Sequence, residues 1–288
     1  DSFYNGLSIS GVTANVADND TAGVTLTQSG GSTSVSEAGP TSDTYTIVLT
    51  SQPTANVTIT VDPDTQTNLG SGAGAPITKT FTSANWSTAQ TVTVTAVDDS
   101  VAEGAHTSTL THAAASSDGN YNAIAIGNVV AAVTDNDTAG VTVAESAGST
   151  FVSEIGPTSD TYTLVLTSQP TANVTITVDP DVQTTVGNGA GGAITKTFTT
   201  ANWNVAQTVT VTAVSDGITE GMHTSTITHT ASSGDANYNG VAITSVIASV
   251  SDQAGVTLSE SGGATVIDET GPTSDTYTLL LNSPPTAS

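Results

Sequence analysis

An all-β fold, built as tandem antiparallel β-sandwiches, is predicted by three features of the sequence. Hydrophobicity alternates with a period of two, as where Val57, Ile59 and Val61 interleave with Thr58 and Thr60. Gly, Pro, Asn and Asp separate such runs, and no window carries an apolar stripe of helical period. Long motifs also recur: "GPTSDTY" stands at Gly39–Tyr45, Gly156–Tyr162 and Gly271–Tyr277, and Asn-Trp at 85–86 and 202–203. A half-buried strand shows one apolar and one polar face, and β-branched Thr and Val suit its pleat. A repeat of this length is a whole domain rather than a solenoid coil.

In the first full repeat the strands fall near 23–28, 33–36, 43–51, 56–62, 77–82, 91–98, 105–113 and 123–134. The first two read as halves of one edge strand broken at Gly30-Gly31. The third puts Tyr45, Ile47 and Leu49 on one face, and the sixth alternates Val92 and Val94 with Thr91, Thr93 and Thr95. In the last run the apolar parity shifts from Ile124 and Ile126 to Val129, Ala131 and Val133, which implies a bulge near Gly127. Trp86 and Trp203 precede a strand and are expected to cap one end of a core of Val, Ile, Leu and Ala. About seven strands with Gly/Pro/Asn/Asp connections describe a two-sheet sandwich of immunoglobulin-like type. Residues 1–20 read as the C-terminal part of a preceding repeat. Residues 21–137 and 138–252 read as complete repeats, and 253–288 as the N-terminal part of a following one. Such part-repeats belong either to a longer protein or to pieces that complete one another between molecules.

The 288 residues include 26 acidic side chains against two basic ones, Lys79 and Lys196, for a net charge of -24. No basic patch exists to neutralise phosphates, so nucleic acid and anionic membrane surfaces are excluded as partners. Cysteine is absent, and no apolar run is long enough to insert into a membrane. With 36% hydrophobic residues and long alternating runs, the chain does not read as disordered.

The acids are not spread evenly. Successive strands of a sandwich run up and down, so alternate connections share an end. That rule collects Glu37, Asp62, Asp64, Asp98, Asp99, Glu103, Asp135 and Asp137 at one end of the first repeat and leaves Asp118 at the other. The second repeat supplies Glu154, Asp179, Asp181, Asp216, Glu220 and Asp252, while Asp18, Asp20 and Glu269 are the equivalents in the flanking part-repeats. Carboxylates gathered without Lys or Arg raise their pKa values, move into water or bind a cation. Several carboxylate oxygens on flexible loops suit Ca2+ better than the tighter octahedron of Mg2+. The bland alternative is a set of solvated turn acids. Ser215 stands where Asp98 does, and Gln253 with a two-residue deletion replaces the distal part of Asp135-Asn136-Asp137, so the second repeat should hold ions less well.

These strings resemble the Calx-beta family in the form found as tandem arrays in bacterial surface proteins. The resemblance is carried by "VSEAGPTSDTYTIVLTSQP" at Val35–Pro53, "QTVTVTAVDDSVAEG" at Gln90–Gly104 and "AVTDND" at Ala132–Asp137. It implies an immunoglobulin-like sandwich binding Ca2+ at one tip through Glu37, Asp98, Asp99, Glu103, Asp135 and Asp137, with Asp62 or Asp64 joining them. In the second repeat the implied ligands are Glu154, Asp216, Glu220 and Asp252.

The histidines pair as His106 with His112 and His223 with His229, six residues apart on one strand face. That spacing separates them by roughly 20 Å, so they read as surface or edge histidines rather than a compact metal site. No nucleophile–base pair stands out, and the chain is expected not to be an enzyme. The favoured expectation is an extracellular, bacterial cell-surface stalk, filament or layer segment. Its partners would be adjacent repeats and further copies of itself, and Ca2+ would stiffen the junctions. Tyr121, Asn122, Tyr238 and Asn239 are expected to form interdomain contacts. The alternative is an adhesive module that recognises a glycan or protein through the loops opposite the acidic tip, at Ala114–Asn120 and Ala231–Asn237.

Overall fold

The computed structural model describes residues 2–252, 256–267, 270–271 and 273–281. Glu269 and Gln253 lie outside the described residues. The chain is all-β and forms tandem sandwich-like units of curled, mostly antiparallel sheets. It divides into two compact units, Asp1–Asp99 with Ala105–Asp135 and Ser100–Gly104 with Asn136–Ser288. Among the described residues no helix is long and apolar enough to cross a membrane.

The first unit runs β1 (Val24–Gln28), β2 (Thr33–Ser36), β3 (Ser42–Leu49), β4 (Val57–Pro63), β5 (Thr67–Asn68), β6 (Ile77–Phe81), β7 (Gln90–Ala96), β8 (His106–Ser116) and β9 (Val129–Thr134). One sheet has the order β1-β3-β7-β5 and the other β2-β9-β8-β4-β6. Alternation decides which side chains turn inward. Tyr45, Ile47, Leu49, Val92 and Val94 from the first sheet share one buried cluster with Val57, Ile59, Val61, Leu110, Val129, Ala131 and Val133 from the second. The intervening threonines are exposed or half-buried. Burying one Val, Leu, Ile or Phe side chain contributes about 1.5–3 kcal/mol, so this two-sided core holds the sheets together. Trp86 packs against the same cluster, and its carbonyl accepts the Leu49 N–H at 3.2 Å.

The second unit repeats the plan in β10 (Val141–Glu145), β11 (Phe151–Ser153), β12 (Ser159–Leu166), β13 (Val174–Pro180), β14 (Thr184–Thr185), β15 (Ile194–Phe198), β16 (Gln207–Ala213), β17 (Met222–Ser233) and β18 (Val246–Ser251). A two-stranded pair, β19 (Val256–Glu260) and β20 (Tyr277–Leu281), follows. Lys79 and Lys196 sit on β6 and β15, edge strands whose charge discourages further pairing.

Two expectations are corrected and one strand is added. β1 and β2 are not halves of one edge strand: β1 pairs with β3, whereas β2 crosses to the other sheet and pairs parallel with β9. The crossing is made by the one-turn 3-10 segment Ser29–Gly31, where Gly30 and Gly31 take φ of 61° and 89°. No bulge joins 123–134 into one strand, because β9 begins only at Val129; Ile124 and Ile126 still pack on the core from irregular chain. The short strand β5 was not anticipated, two residues being too few to show a period.

The crossing turn gives a first prediction. Ala147 holds φ 51° where the other repeats have Gly30 and Gly262. A Cβ in this left-handed region meets the following carbonyl, at roughly 1–2 kcal/mol, and glycine's greater freedom when unfolded offsets part of that. Ala147→Gly should therefore stabilise the second repeat by about 0.5–1 kcal/mol, measured as a shift in the denaturant midpoint.

Candidate metal centre

The parallel pairing of β2 with β9 builds the acidic end. Its register aligns Ser36 with Thr134, and the Glu37 N–H then donates to the Thr134 carbonyl at 3.0 Å. Glu37 is thereby laid beside the first residue of the Asp-Asn-Asp string. One strand further on, β8 pairs His106 with Val133. Three neighbouring strands so end in Glu37, Asp135 and His106. The turn after Glu37 is closed by Thr41, whose N–H donates to the Ser36 carbonyl while its Oγ1 accepts from Ser36 N–H.

The second repeat copies this construction. Glu154 N–H donates to the Ser251 carbonyl at 3.0 Å, placing it beside Asp252, and His223 pairs with Val250. Glu154 is 5% exposed and so is Asp252. His223 Nε2 lies 3.6 Å from Glu154 Oε1 and 3.7 Å from Glu220 Oε2. One ligand atom each from Glu154, Glu220 and His223 falls within 4.8 Å of the other two. Asp252 Oδ2 accepts the Glu220 N–H at 2.8 Å, and Gln183 donates to both Glu220 oxygens at 3.1 and 3.4 Å. Glu154 Oε1 accepts no hydrogen bond among the described residues. Burial pushes the Glu154 carboxyl above the ordinary glutamate range, and the charges of Asp252 and Asp216 push it further against the pull of His223. A cavity of about 400 Å³ opens beside Glu154, Ser215 and Asp252.

In the first unit Glu37 is 1% exposed, with His106 Nε2 at 3.9 Å from its Oε1. An oxygen of the half-buried Asp135 lies within 4.8 Å of Glu37. Asp98 and Asp99 are exposed; exposed Glu103 and half-buried Asp137 fall in segments of the second unit.

Six expected ligands are placed otherwise. Asp62 and Asp179 occupy outward positions of β4 and β13 and are exposed. Asp64 spends its oxygens on Ser108 Oγ at 2.6 Å and Thr109 N–H at 2.7 Å, and Asp181 does the same with Ser225 and Thr226. These two are loop-to-strand staples. Asp18 and Asp20 are exposed and line a hollow with Asp118, Asn120 and Tyr121 in the first unit.

Asp118 is structural: it is 7% exposed, and its carboxylate accepts from Thr54 N–H at 2.8 Å and Asn120 N–H at 3.0 Å. These bonds hold its pKa below the aspartate range. Asp235 repeats the arrangement with Thr171 and Asn237; burial works against its ionisation, and the hydrogen bonds outweigh it. Tyr121 and Tyr238, expected at interdomain contacts, are each 1% exposed in the core of their own repeat. Asn122 and Asn239 are exposed and accept from Ser116 and Ser233 N–H within their loops.

The histidines were missed because strand parity shows spacing along a strand and not what the next strand brings alongside. His106 and His223 join buried glutamates. His112 and His229 lie further along the same faces of the same strands, each with Nε2 2.8 Å from the hydroxyl of Tyr45 or Tyr162. Burial lowers both imidazole pKa values and raises those of the two phenols. A histidine depressed on folding takes up its proton more readily when unfolded, so stability is full above the unfolded value, ~6.5, and falls as pH drops below it. Thermal melts from pH 7.5 to 5 should therefore show falling stability, with a shallower slope in His112→Gln/His229→Gln.

The donor chemistry fits a cation: buried carboxylates, an imidazole and no cationic side chain among them. The carboxylates of Glu154, Asp216, Glu220 and Asp252 could hold a cation in the second repeat, and those of Glu37 and Asp135 in the first.

No protein-family model matches the chain, and no curated protein matches it. Solved structures similar to it include CBD12 from CALX1.2, at 12% identity over 77% of this chain and 98% of that one, with a TM-score of 0.30. A glycosyl hydrolase family 2 member from Bacteroides cellulosilyticus matches at 10% identity over 73% of this chain and 23% of its own, TM-score 0.29. A two-domain protein of unknown function from Bacteroides fragilis NCTC 9343 matches at 8% identity over 81% and 94%, TM-score 0.31. The likeness is distant and is shared among unrelated β-sandwich proteins, so it singles out no calcium-binding repeat family.

Proposed function

We propose that the chain is a non-catalytic structural segment of a bacterial cell-surface or extracellular protein, whose repeats are stiffened when Ca2+ neutralises their acidic ends. The observation that carries this reading is Glu154, a carboxylate buried among Asp216, Glu220 and Asp252 in a chain with only Lys79 and Lys196 to offset 26 acids. Tandem sandwiches with the same acidic end in each repeat support a spacer role more than a single binding face. The opposite loops are tied down by Asp118 and Asp235, which makes them supports for the fold.

Bound Ca2+ would supply positive charge to relieve repulsion among these oxygens. The chain's own part is to hold them ready: Glu154 is fixed by its backbone bond to Ser251, and Asp252 steadies Glu220 through its N–H. An affinity of ~10⁻⁴–10⁻³ M suits oxygen sites of extracellular modules. Small-angle scattering of the chain in Ca2+ and then chelator tests the role. The maximum dimension should hold in Ca2+ and vary more widely after chelation; identical curves in both states contradict the stiffening.

A further inference from the structure

The centre in the second repeat contains an imidazole that a calcium site has no use for. His223 Nδ1 lies 3.1 Å from the Gly221 carbonyl oxygen, which can only accept, so Nδ1 carries a proton. In the neutral ring this leaves the Nε2 lone pair directed at Glu154 Oε1 and Glu220 Oε2. A lone pair facing two carboxylates is repulsive unless a positive charge lies between them. Neither Nε2 nor Glu154 Oε1 makes a hydrogen bond among the described residues, and the Glu154 side chain is 3% exposed. The separations of 3.6 and 3.7 Å are longer than hydrogen bonds. They approach the ~3.3 Å edge of a tetrahedron whose metal–ligand bonds are ~2.0–2.1 Å.

We propose that Glu154, Glu220 and His223 form a site for an imidazole-preferring divalent transition ion of the Zn2+ class, with a fourth position open to water. A carbonyl that fixes the tautomer of the coordinating ring is the usual outer support of a metal-bound histidine. Imidazole with carboxylates suits Zn2+ and its neighbours, whereas Ca2+ takes oxygen alone. Gln183 and Asp252 hold Glu220 in place, one through its carboxylate and the other through its N–H. The inference rests on the reading that this end takes a cation and names the ion at one of its positions. Asp216 and Asp252 remain for calcium, and Glu154 has a second carboxylate oxygen to share with it.

The test is a Zn2+ titration of the full chain in a large excess of Ca2+, followed through the imidazole nitrogen resonances. The His223 Nε2 resonance, assigned from its loss in His223→Gln, should shift and saturate while those of His112 and His229 stay still. Glu220→Gln, at an exposed position, keeps the ring and should weaken Zn2+ binding at least 10-fold. A His223 resonance that does not move, or equal Zn2+ affinity in Glu220→Gln, overturns the site. Calcium stabilisation surviving in His223→Gln while the Zn2+ shift is absent in the parent chain removes zinc and leaves calcium standing. The reverse pattern, a Zn2+ shift without any Ca2+ response, removes calcium and keeps zinc.

Discussion

Tyr238→Phe is expected to destabilise the second repeat by about 2–3 kcal/mol. The phenol oxygen accepts the Ser168 N–H at 3.0 Å, donates to the Ser168 carbonyl at 2.7 Å and lies 2.8 Å from Ser168 Oγ. Ser168 is 0% exposed, so removing the hydroxyl leaves a buried N–H and C=O without water to replace it. Each such orphan costs roughly 1–3 kcal/mol, and partial relaxation keeps the sum below full additivity. Tyr121→Phe should behave alike, since its hydroxyl bonds Ser51 in the same manner. Tyr4, the corresponding tyrosine in residues 1–20, is 75% exposed, and Tyr4→Phe should change nothing. Trp203 packs on the second core and Trp86 on the first, so denaturant unfolding read from Trp203 in a Trp86→Phe background isolates the effect. Equal midpoints for the parent and Tyr238→Phe would refute this role.

The second large effect concerns ion-linked stability. A ligand that binds only the folded state contributes about 2.7 kcal/mol when its concentration is 100 times its Kd. At saturating Ca2+ the second repeat should gain on that order, and Glu154→Gln should gain less than about half of it, because the buried charge the ion answers has gone. The same substitution should raise the melting temperature of the ion-free chain, since a neutral amide does not repel Asp216, Glu220 and Asp252. The two shifts have opposite signs, and melts with chelator and with Ca2+ measure both. A lower melting temperature in chelator would mean that Glu154 serves the fold by its charge, contrary to the account.

Much of the β-architecture was legible because the core is built by parity. Where Val57, Ile59 and Val61 alternate with threonine, the alternation and the inward face are one fact. The cross-over between β1 and β2 was not legible, because a Gly-Gly kink inside a strand and a change of sheet leave the same residues behind. Parity sorts the acids towards one end of a repeat but does not show which of them the fold ties up. Asp64 and Glu37 look equally available in the sequence, yet Asp64 is consumed by Ser108 and Thr109 on β8, partners that only the fold brings near. The recurrence of Tyr-Asn at 121–122 and 238–239 suggests an interdomain contact in the sequence, and the ring of each tyrosine instead turns into the core. His106 and His223 escaped notice for the complementary reason: their buried partners, Glu37 and Glu154, follow β2 and β11, far away in the chain.

Calcium binding itself, measured by equilibrium dialysis on the parent chain and on Glu37→Gln/Glu154→Gln, is the most direct test. Saturable uptake in the ~10⁻⁴–10⁻³ M range, largely lost in the double variant, is the predicted result. Uptake that never saturates, or that is unchanged when both buried glutamates are neutralised, would show the acids merely solvated and would contradict the account.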